Sequence, residues 1–296
     1  MDEQAWLTER FEQHRSHLRA VAYRMLGSVS EADDALQEAW LRVHGQDPAS
    51  IENMQAWLTT VVGRVCLNML RSRRARPEQV ADVHLPDPVV SFGDGADPEQ
   101  EALVADSVGL ALLVVLDALS PAERLAFVLH DVFGLPFADI AAALDRSEAA
   151  AQQLASRARR RIRGAPEPDP DLARQREMVD AFFAASRDGD FDGLLAALDP
   201  EVELRIDGGV LREEASIVLR GAGAVARHST TYSKLHPFVI PALVNGAAGA
   251  VVAPAGRLFS VMAFTVTGGK ISRIDALLDP ERLAQLDLSL PSADDV

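Results

Sequence analysis

Cysteine, lysine and long hydrophobic runs are scarce in this sequence of 296 residues. Cys66 is the single cysteine, which excludes an internal disulfide and a cysteine-cluster metal site. No apolar run approaches the ~18–20 residues of a membrane-spanning helix, and the first residues are charged, so we expect neither a membrane span nor a secretory signal. The seven histidines are scattered without metal-ligand spacing. These absences favour a cytoplasmic protein that uses no metal or other cofactor.

Lysine is almost missing: 27 of the 29 basic residues are arginine, the exceptions being Lys234 and Lys270. The formal net charge of −15, taken alone, argues against a protein that binds nucleic acid. The arginine excess has two readings. One is a codon-composition bias, and the other is the forked contact that arginine makes with phosphates and bases.

The charge is distributed unevenly along the chain. Residues 55–76 contain five arginines and no acid, and so do residues 152–165. Residues 77–106 between them contain eight acids and neither lysine nor arginine, with the prolines and glycines that are typical of a linker. Two basic segments at the ends of predicted helices therefore flank an acidic connector. A solvated charged face is the ordinary alternative for either segment.

Residues 1–76 are predicted to be helical. Apolar residues recur at helical spacing up to Leu26, and Gly27 ends this first helix. Ser30 with Asp33 predicts the N-terminal cap of a second helix. A third helix is predicted over about residues 54–73, and no strand pattern occurs in this part of the chain. The segment is therefore predicted to be a small all-α domain.

Residues 107–164 carry a helix-turn-helix pattern. Ser120 and Glu123 predict a capping box, residues 137–144 a short helix, and Ser147 the cap of the next helix. The second helix of such a motif enters the major groove of DNA, which predicts DNA contacts for its polar side chains. These side chains are Gln152, Ser156, Arg157, Arg160 and Arg161. A plain helical hairpin with a basic end is the alternative.

The remaining part of the chain is predicted to be a separate α+β domain at residues 172–290, after a proline-rich linker at residues 165–171. Helices come first and strands follow, with Gly268 and Gly269 as a hairpin turn. The predicted helices cover residues 172–187, 193–198 and 221–228. The predicted strands cover residues 202–206, 238–244, 250–252, 258–266 and 270–277. We expect the strands to form a curved antiparallel sheet.

The order of these parts resembles a bacterial extracytoplasmic-function (ECF) sigma factor. Residues 32–43 (ADDALQEAWLRV) resemble the helix by which sigma region 2 binds the β′ coiled coil of RNA polymerase. Residues 56–74 (AWLTTVVGRVCLNMLRSRR) resemble the helix and loop that melt and read the minus-ten element. Residues 120–163 resemble region 4, which reads the minus-thirty-five element. The resemblance implies region 2 at 1–76, an acidic linker at 77–106 and region 4 at 107–164.

The resemblance also implies partners and site residues. The chain would bind core RNA polymerase, through its β′ and β subunits, and promoter DNA, and so direct transcription initiation. The residues of region 2 implied to bind DNA are Arg64, Asn68, Arg71, Arg73 and Arg74. Those implied to bind polymerase are Asp33, Asp34, Gln37, Glu38 and Trp40. The family often carries asparagine at the position of Arg64, which leaves the base preference open.

The linker acquires a meaning from the same resemblance. In related initiation factors the connector between regions 2 and 4 threads through the nucleic-acid channel of polymerase. An acidic chain can occupy a basic channel as a mimic of nucleic acid. A solvated tether of the same composition is the alternative.

The C-terminal domain resembles the SnoaL-like fold, a cone of sheet and helices around a pocket. The phrases MVDAFFAASRDGDFDGLLAALDPEVELRIDGG and GGKISRIDALLDPERL carry that resemblance. In the subgroup of ECF sigma factors with this extension, the domain regulates the sigma factor in cis. The regulatory elements of the subgroup are matched by Pro166, Glu167 and Pro168, and by Asp207, Gly208 and Gly209. Val210 and Leu211 follow, where the subgroup often has glycine and lysine.

Two alternatives concern function. The C-terminal domain is either a small-molecule sensor or a SnoaL-type enzyme, with Asp207, His228, His236 and Asp275 as acid–base candidates in an apolar pocket. No pair among them has motif-grade spacing, so we expect no enzyme and rank ligand binding above catalysis. A DNA-binding regulator that uses only the helix-turn-helix is the other alternative, and the predicted melting helix argues against it.

Overall fold

The computed structural model describes residues 3–44, 51, 53–75, 83–92, 110–163, 168–286, 288 and 290. These residues form two compact units. The first contains described residues 3–75 and 113–163, and the second contains 83–92, 110–112 and 168–290. Part of the predicted acidic linker therefore groups with the C-terminal domain.

The first unit begins with three helices, α1 (Glu3–Leu26), α2 (Val29–Val43) and α3 (Met54–Arg74). Gly27 adopts a φ of 75°, which ends α1 as predicted. The cap predicted at Ser30 is wrong, because Ser28 is the N-cap of α2 and accepts a hydrogen bond from the Glu31 N–H. The left-handed Gly27 brings the chain into the next helix at once, so Ser30 lies inside the first turn.

The helices of region 4 complete the first unit. They are α4 (Leu110–Asp117), which the division between the units crosses at Leu113, α5 (Pro121–Phe127), α6 (Phe137–Leu144) and α7 (Glu148–Ile162). The predicted capping box is present, since Ser120 and Glu123 bond each other's backbone N–H groups. A π-helical turn, Val128–Val132, extends α5.

Regions 2 and 4 pack together inside this unit. Arg124 is 2% exposed, and its side chain donates to the carbonyl oxygen of Arg24 through Nε at 3.2 Å and Nη2 at 3.1 Å. Gly63 on α3 lies so close to region 4 that an added Cβ would meet Leu125 Cδ1 at 3.0 Å. Helix α3, which was predicted to read DNA, thus has one face against region 4.

The second unit contains α8 (Leu172–Asp188), α9 (Phe191–Ala197), α10 (Ala222–Thr230) and α11 (Pro280–Gln285). Its seven-stranded sheet has the order β1-β4-β5-β6-β7-β2-β3. The strands are β1 (Val90–Ser91), β2 (Leu198–Asp207), β3 (Ile217–Arg220), β4 (Val239–Val244), β5 (Ala247–Val252), β6 (Ser260–Thr267) and β7 (Lys270–Leu277). An apolar core that includes Phe182, Leu194 and Phe264 lies between the sheet and the helices.

The sheet differs from the predicted one in its pairing and by two strands that were not predicted, β1 and β3, of which β3 pairs antiparallel with β2. Strands β2 and β7 pair in parallel, with Leu204 opposite Ile274, so the sheet is mixed rather than purely antiparallel. Its outermost strand, β1, comes from the acidic linker, and Val90 pairs with Val244 of β4. The parallel pair arises because β2 and β7 are brought together from distant parts of the chain, which strand periodicity does not reveal.

Candidate functional site

A groove between α1 and α2 collects most of the residues that were predicted to bind polymerase. It has a volume of about 400 Å³, and Asp33, Asp34, Gln37 and Trp40 line it together with residues of α1. The Trp40 ring lies 5.2 Å from the buried Phe11 ring, which fixes the indole at the wall of the groove. The groove thus presents one aromatic surface beside acidic side chains.

The acidic side chains around this groove differ in whether another residue of the protein holds them. Arg19 on α1 holds Asp33 with two hydrogen bonds of 2.7 and 2.9 Å. Glu38 is bonded to Arg42 one turn later and does not line the groove. Asp34 and Gln37 are exposed and lie on the same helical surface. These two side chains are therefore the most accessible members of the set.

The predicted DNA-binding residues of region 2 fall into two groups. Arg64, Asn68 and Arg71 recur at helical spacing on α3 and are exposed. Arg73 forms an ion pair with Glu31, and the Arg74 Nη2 donates to the Leu119 carbonyl oxygen at 2.5 Å. The first three present one basic and polar stripe, whereas the last two contact the protein itself.

In region 4, the predicted recognition helix is α7. Asp145 adopts a φ of 55° at the turn, and the Ser147 hydroxyl accepts from the Ala150 N–H at 3.3 Å to cap the helix. The predicted contacts Gln152, Ser156, Arg157, Arg160 and Arg161 are all exposed. Four buried residues on the opposite side hold the helix in place, namely Ala151, Leu154, Ala155 and Ala158.

Arg161 also has a structural partner. Its Nη1 lies 3.0 Å from the Glu123 carboxylate, which is 5% exposed at its side chain. Burial alone raises the pKa of Glu123, but the Ser120 hydrogen bonds and the charges of Arg161 and Arg157 lower it overall. The capping box of α5 and the basic end of α7 are therefore electrostatically connected.

A second site surrounds Asp207, the first residue of the predicted Asp-Gly-Gly element. The Asp207 side chain is 1% exposed, and its Oδ2 accepts from the Leu85 N–H and from Arg282 Nη1, both at 2.8 Å. Arg282 Nε also donates to Asp87 at 2.8 Å. We call Leu85, Asp87, Asp207 and Arg282 the linker clasp. It fastens the acidic connector to the C-terminal domain.

Both glycines of the element are needed for this geometry. Gly209 has a φ of 63°, and an added Cβ would overlap the Asp279 carboxylate. An added Cβ on Gly208 would overlap the Arg212 carbonyl group. The side chain of Asp207 folds back as well, because its Oδ1 accepts from the Gly209 N–H at 3.0 Å. The turn thus holds Asp207 in position beneath the linker.

A further contact continues the attachment of the linker. Asn245, at the turn between β4 and β5, accepts from the Val89 N–H at 3.2 Å through Oδ1 and donates its own N–H to Val89 O at 2.8 Å. Asn245, Asp87 and Arg282 were missed by sequence reasoning. The available signal was the apolar pattern Val83, Leu85, Val89 and Val90 inside an acidic stretch, all four of which are buried.

The Pro-Glu-Pro element is only partly visible. Pro166 and Glu167 lie outside the described residues, and Pro168 is half-buried. The next residue, Asp169, donates its N–H to the Val266 carbonyl oxygen at 2.7 Å. The chain is therefore anchored to the second unit immediately after this element.

The acid–base candidates of the C-terminal domain separate into two places. His228 and His236 line an apolar cavity, whereas neither Asp207 nor Asp275 is among the described residues that do so. Asp275 is 2% exposed, and burial raises its pKa to about 6, against the lowering charges of Arg273 and Arg205. The two aspartates therefore stand apart from the cavity in which they were predicted to act.

Metal-binding clusters and membrane-spanning helices are absent from the described residues. None of their His, Cys, Asp and Glu side chains form a group of three or more that could hold a metal ion. No helix within the described ranges is long and apolar enough to cross a membrane.

The sequence is similar to known proteins over most of its length. Residues 10–76 match the model of Sigma-70 region 2, and residues 109–162 match that of Sigma-70, region 4. The chain is 39% identical over 287 residues to the ECF RNA polymerase sigma factor SigJ of Mycobacterium tuberculosis, covering 92% of this chain and 91% of that one. It is 36% identical to the probable ECF sigma factor SigI of that organism, covering 94% of each.

The fold agrees with that relationship. The crystal structure of Mycobacterium tuberculosis SigJ matches with a TM-score of 0.76 at 35% identity, covering 95% of this chain and all of that chain. The predicted fold class is confirmed in that two helical sigma regions precede an α+β domain. The chain belongs to the extracytoplasmic-function family of RNA polymerase sigma factors.

Proposed function

We propose that this sigma factor binds the β′ subunit through the groove of α1 and α2, and that its C-terminal domain restrains it in cis through the linker clasp. Region 2 then reads the minus-ten element with Arg64, Asn68 and Arg71, and region 4 reads the minus-thirty-five element with α7. Its place of action is that of RNA polymerase, the cytoplasm. The regulatory part of the proposal rests on one observation, namely that Asp207 and Arg282 form hydrogen bonds with the linker.

Distance supports the need for an opening step. The two promoter elements are about 25 base pairs apart, which is about 80 Å of duplex at ~3.4 Å per pair. A compact unit of ~130 residues has a radius of gyration of only about 14 Å. Regions 2 and 4 lie in one such unit, joined by buried contacts of Arg124. Binding to both elements at once therefore requires the two regions to separate.

The linker clasp opposes that separation. The connector joins region 2 to region 4, and its segment 83–91 is bound to the C-terminal domain by a hydrogen bond to the buried Asp207 carboxylate, the ion pair of Asp87 with Arg282 and a short strand. The resemblance implies that this connector threads through polymerase in the initiation complex. A linker cannot occupy both places, so core polymerase and the C-terminal domain compete for it. Release of the clasp shifts the population toward the form that binds core.

The C-terminal domain is proposed to act without catalysis. A general acid or base must reach the substrate within hydrogen-bond distance. The described side chains that line the cavity include His228 and His236 but no carboxylate to act with either of them, and the buried Asp207 is committed to the clasp. This arrangement favours a regulatory domain over a SnoaL-type enzyme.

The regulatory proposal is tested by run-off transcription with purified core polymerase below saturation. The full-length variant Arg282→Ala removes the cation shared by Asp87 and Asp207. A charge-assisted hydrogen bond stabilises a folded contact by about 1.5–3 kcal/mol. The contribution of the clasp is smaller than this, because Arg282 is partly solvated. We expect transcript yield to rise about 3- to 10-fold at low concentrations of the sigma factor.

The matched control is Arg220→Ala. Arg220 pairs with Glu203 on the same domain, and its side chain is 76% exposed. This control should transcribe like the wild type. Unchanged or reduced yield from Arg282→Ala, in a protein that folds normally, would rule out restraint through the clasp.

The polymerase and DNA surfaces are tested separately. Asp34→Arg should weaken binding to core polymerase at least 10-fold in a pull-down titration, whereas Glu177→Arg, the same charge change on exposed α8, should not. Arg160→Ala should reduce transcription from a promoter that depends on its minus-thirty-five element, by the ~1–3 kcal/mol of a base contact. Equal output from that promoter and one lacking the element would contradict the role of α7.

A further inference from the structure

The C-terminal domain contains an apolar cavity that the sigma-factor role does not explain. It has a volume of about 90 Å³, is partly open, and lies on the inner side of the sheet. Four aromatic side chains contribute to its wall: Phe182, Phe183, Tyr232 and Phe259. No acid, lysine or arginine is among the described residues that line it. The wall therefore favours an uncharged, largely apolar occupant.

Two polar atoms in this wall have no hydrogen-bond partner among the described residues. They are Nε2 of His228 and Oγ of Ser260, and both atoms are buried. Ser260 as a whole is 4% exposed and lies on β6, two residues before Met262, which also lines the cavity. A buried polar atom without a partner costs about 1–3 kcal/mol. A ligand group that forms hydrogen bonds with these two atoms would remove this cost.

The chemistry of these atoms narrows the ligand. Burial lowers the pKa of His228, so the imidazole is neutral near pH 7 and its Nε2 either donates or accepts, according to the tautomer. A serine hydroxyl also does both. A ligand hydroxyl matches either arrangement. An apolar cavity of ~150 Å³ holds benzene. This cavity is smaller but partly open, so it can hold a single ring if part of that ring extends into the opening of the cavity.

We propose that this cavity binds a small uncharged molecule with one ring and one hydroxyl group, the ring against the aromatic wall and the hydroxyl at His228 and Ser260. This proposal gives the hypothesis that the domain is a small-molecule sensor a specific class of ligand. The proposal does not depend on the restraint of the linker.

The site adjoins the clasp through two lining residues that are connected to Asp207. Ile206 and Leu278 line the cavity, Ile206 directly precedes Asp207, and the Leu278 N–H donates to the Asp207 carbonyl oxygen at 2.7 Å. Arg212 lies over the Phe259 ring at 5.1 Å and donates to the Leu278 carbonyl oxygen at 3.3 Å. A ligand here therefore contacts the same short segments that hold Asp207.

The test measures binding of p-cresol to the full-length protein by isothermal titration calorimetry. Toluene is the matched probe, with the same ring and methyl group but no hydroxyl. We expect saturable binding of p-cresol at one site, with toluene about 3- to 10-fold weaker because it makes no hydrogen bond. Benzoate, which is charged, should not bind.

Two variants locate the site. Ser260→Ala should reduce p-cresol affinity about 3- to 10-fold and leave toluene affinity unchanged. Ala276→Phe, which fills the cavity from β7, should abolish binding of both probes. Absence of saturable p-cresol binding, or wild-type affinity in a folded Ser260→Ala protein, would overturn the proposal. Neither readout involves transcription, so failure here leaves the restraint by the clasp to be judged separately.

Discussion

Two arginines join distant parts of this chain, and they do so in different surroundings. Arg124 connects region 4 to region 2, with a side chain that is 3% exposed, one carboxylate partner in Asp117 and a backbone carbonyl group. Arg282 connects the C-terminal domain to the linker, is partly solvated, and is shared between the carboxylates of Asp87 and Asp207.

The difference predicts different behaviour on opening. Removing one partner of a buried ion pair is costly, because the remaining groups lose both solvent and partner. A partly solvated pair loses less, because water replaces the protein contacts. The packing of regions 2 and 4 should therefore behave as part of the folded core. The linker clasp should behave as a local contact that opens more readily.

The largest effect is expected from Arg124→Ala. The change removes a buried cation, its contacts with the Arg24 carbonyl group and its packing. We expect the free energy of unfolding of the first unit to fall by about 4 kcal/mol, and its melting temperature by roughly 10–15 °C, measured by calorimetry. The exposed neighbour Arg146 supplies the control, since Arg146→Ala should leave the melting temperature unchanged.

Arg124→Met sharpens the same experiment. Methionine restores much of the apolar packing of the arginine stem, and Asp117, whose side chain is 31% exposed, keeps part of its solvent when the cation is lost. The methionine variant should recover at least half of the lost stability. A fall below about 1 kcal/mol for Arg124→Ala would show that this contact is not part of the core.

The second unit offers the opposite case, a buried charge with incomplete pairing. Asp275 Oδ1 has no partner among the described residues, and burial raises the pKa of Asp275 to about 6. The folded state therefore holds the proton more tightly than the unfolded chain. This contribution to stability is fully present below pH ~4 and is lost as pH rises through about 6.

Asp275→Asn should reveal that loss. The free energy of unfolding of the variant should exceed that of the wild type by up to about 3 kcal/mol at pH 7.5 and by little at pH 4. Denaturant titrations at the two pH values measure it. Asp192→Asn, an exposed residue on α9, is the control and should show no pH-dependent gain. A gain that is equal at both pH values would contradict the raised pKa.

A smaller and more local effect is expected from Arg282→Ala. The Leu85 N–H donates to Asp207, so its hydrogen exchange reports on the clasp. We expect hydrogen exchange at the Leu85 N–H to accelerate about 10- to 30-fold, because the free energy of local opening falls by about 2 kcal/mol. The melting temperature should be nearly unchanged. A large drop in melting temperature instead would place Arg282 in the same class as Arg124.

The smallest effect is expected from the capping box of α5. Ser120→Ala removes the side-chain acceptor of the Glu123 N–H and should cost about 1 kcal/mol of stability in the first unit. Thermal unfolding measures the loss. Ser120→Asn, which restores an N-cap acceptor, should recover most of it, and equal stability of all three proteins would indicate that the cap contributes nothing.

Local signals predicted the helices of regions 2 and 4 well. Gly27, Ser120 and Ser147 act within one turn of their own position, so their effects can be read from neighbouring residues. The linker clasp could not be predicted in the same way, because Leu85 and Asp207 are 122 residues apart and neither residue carries a local mark of the other. The resemblance singled out Asp207 as regulatory, but only the folded chain pairs it with Leu85 and Arg282.

The mixed sheet teaches a related lesson. Strand alternation identified β2 and β7 but gave no sign that they pair in parallel, since pairing partners depend on topology. β1 was overlooked because only two of its residues pair, inside a stretch whose acids and prolines are typical of a connector. The Ser30 cap was misplaced by two residues, which is a local ambiguity between neighbouring serines.

The pairing of β1 with β4 has a consequence for solubility. β1 covers only Leu243 and Val244 of β4, so the proposed release of the linker would uncover that end of the strand, and such edges recruit strands from other molecules. Pro241 lies in the middle of β4 and has no N–H to offer. The proline interrupts the ladder that a foreign strand would need. A sigma factor that released its linker as proposed would thus carry its own protection against aggregation at this edge.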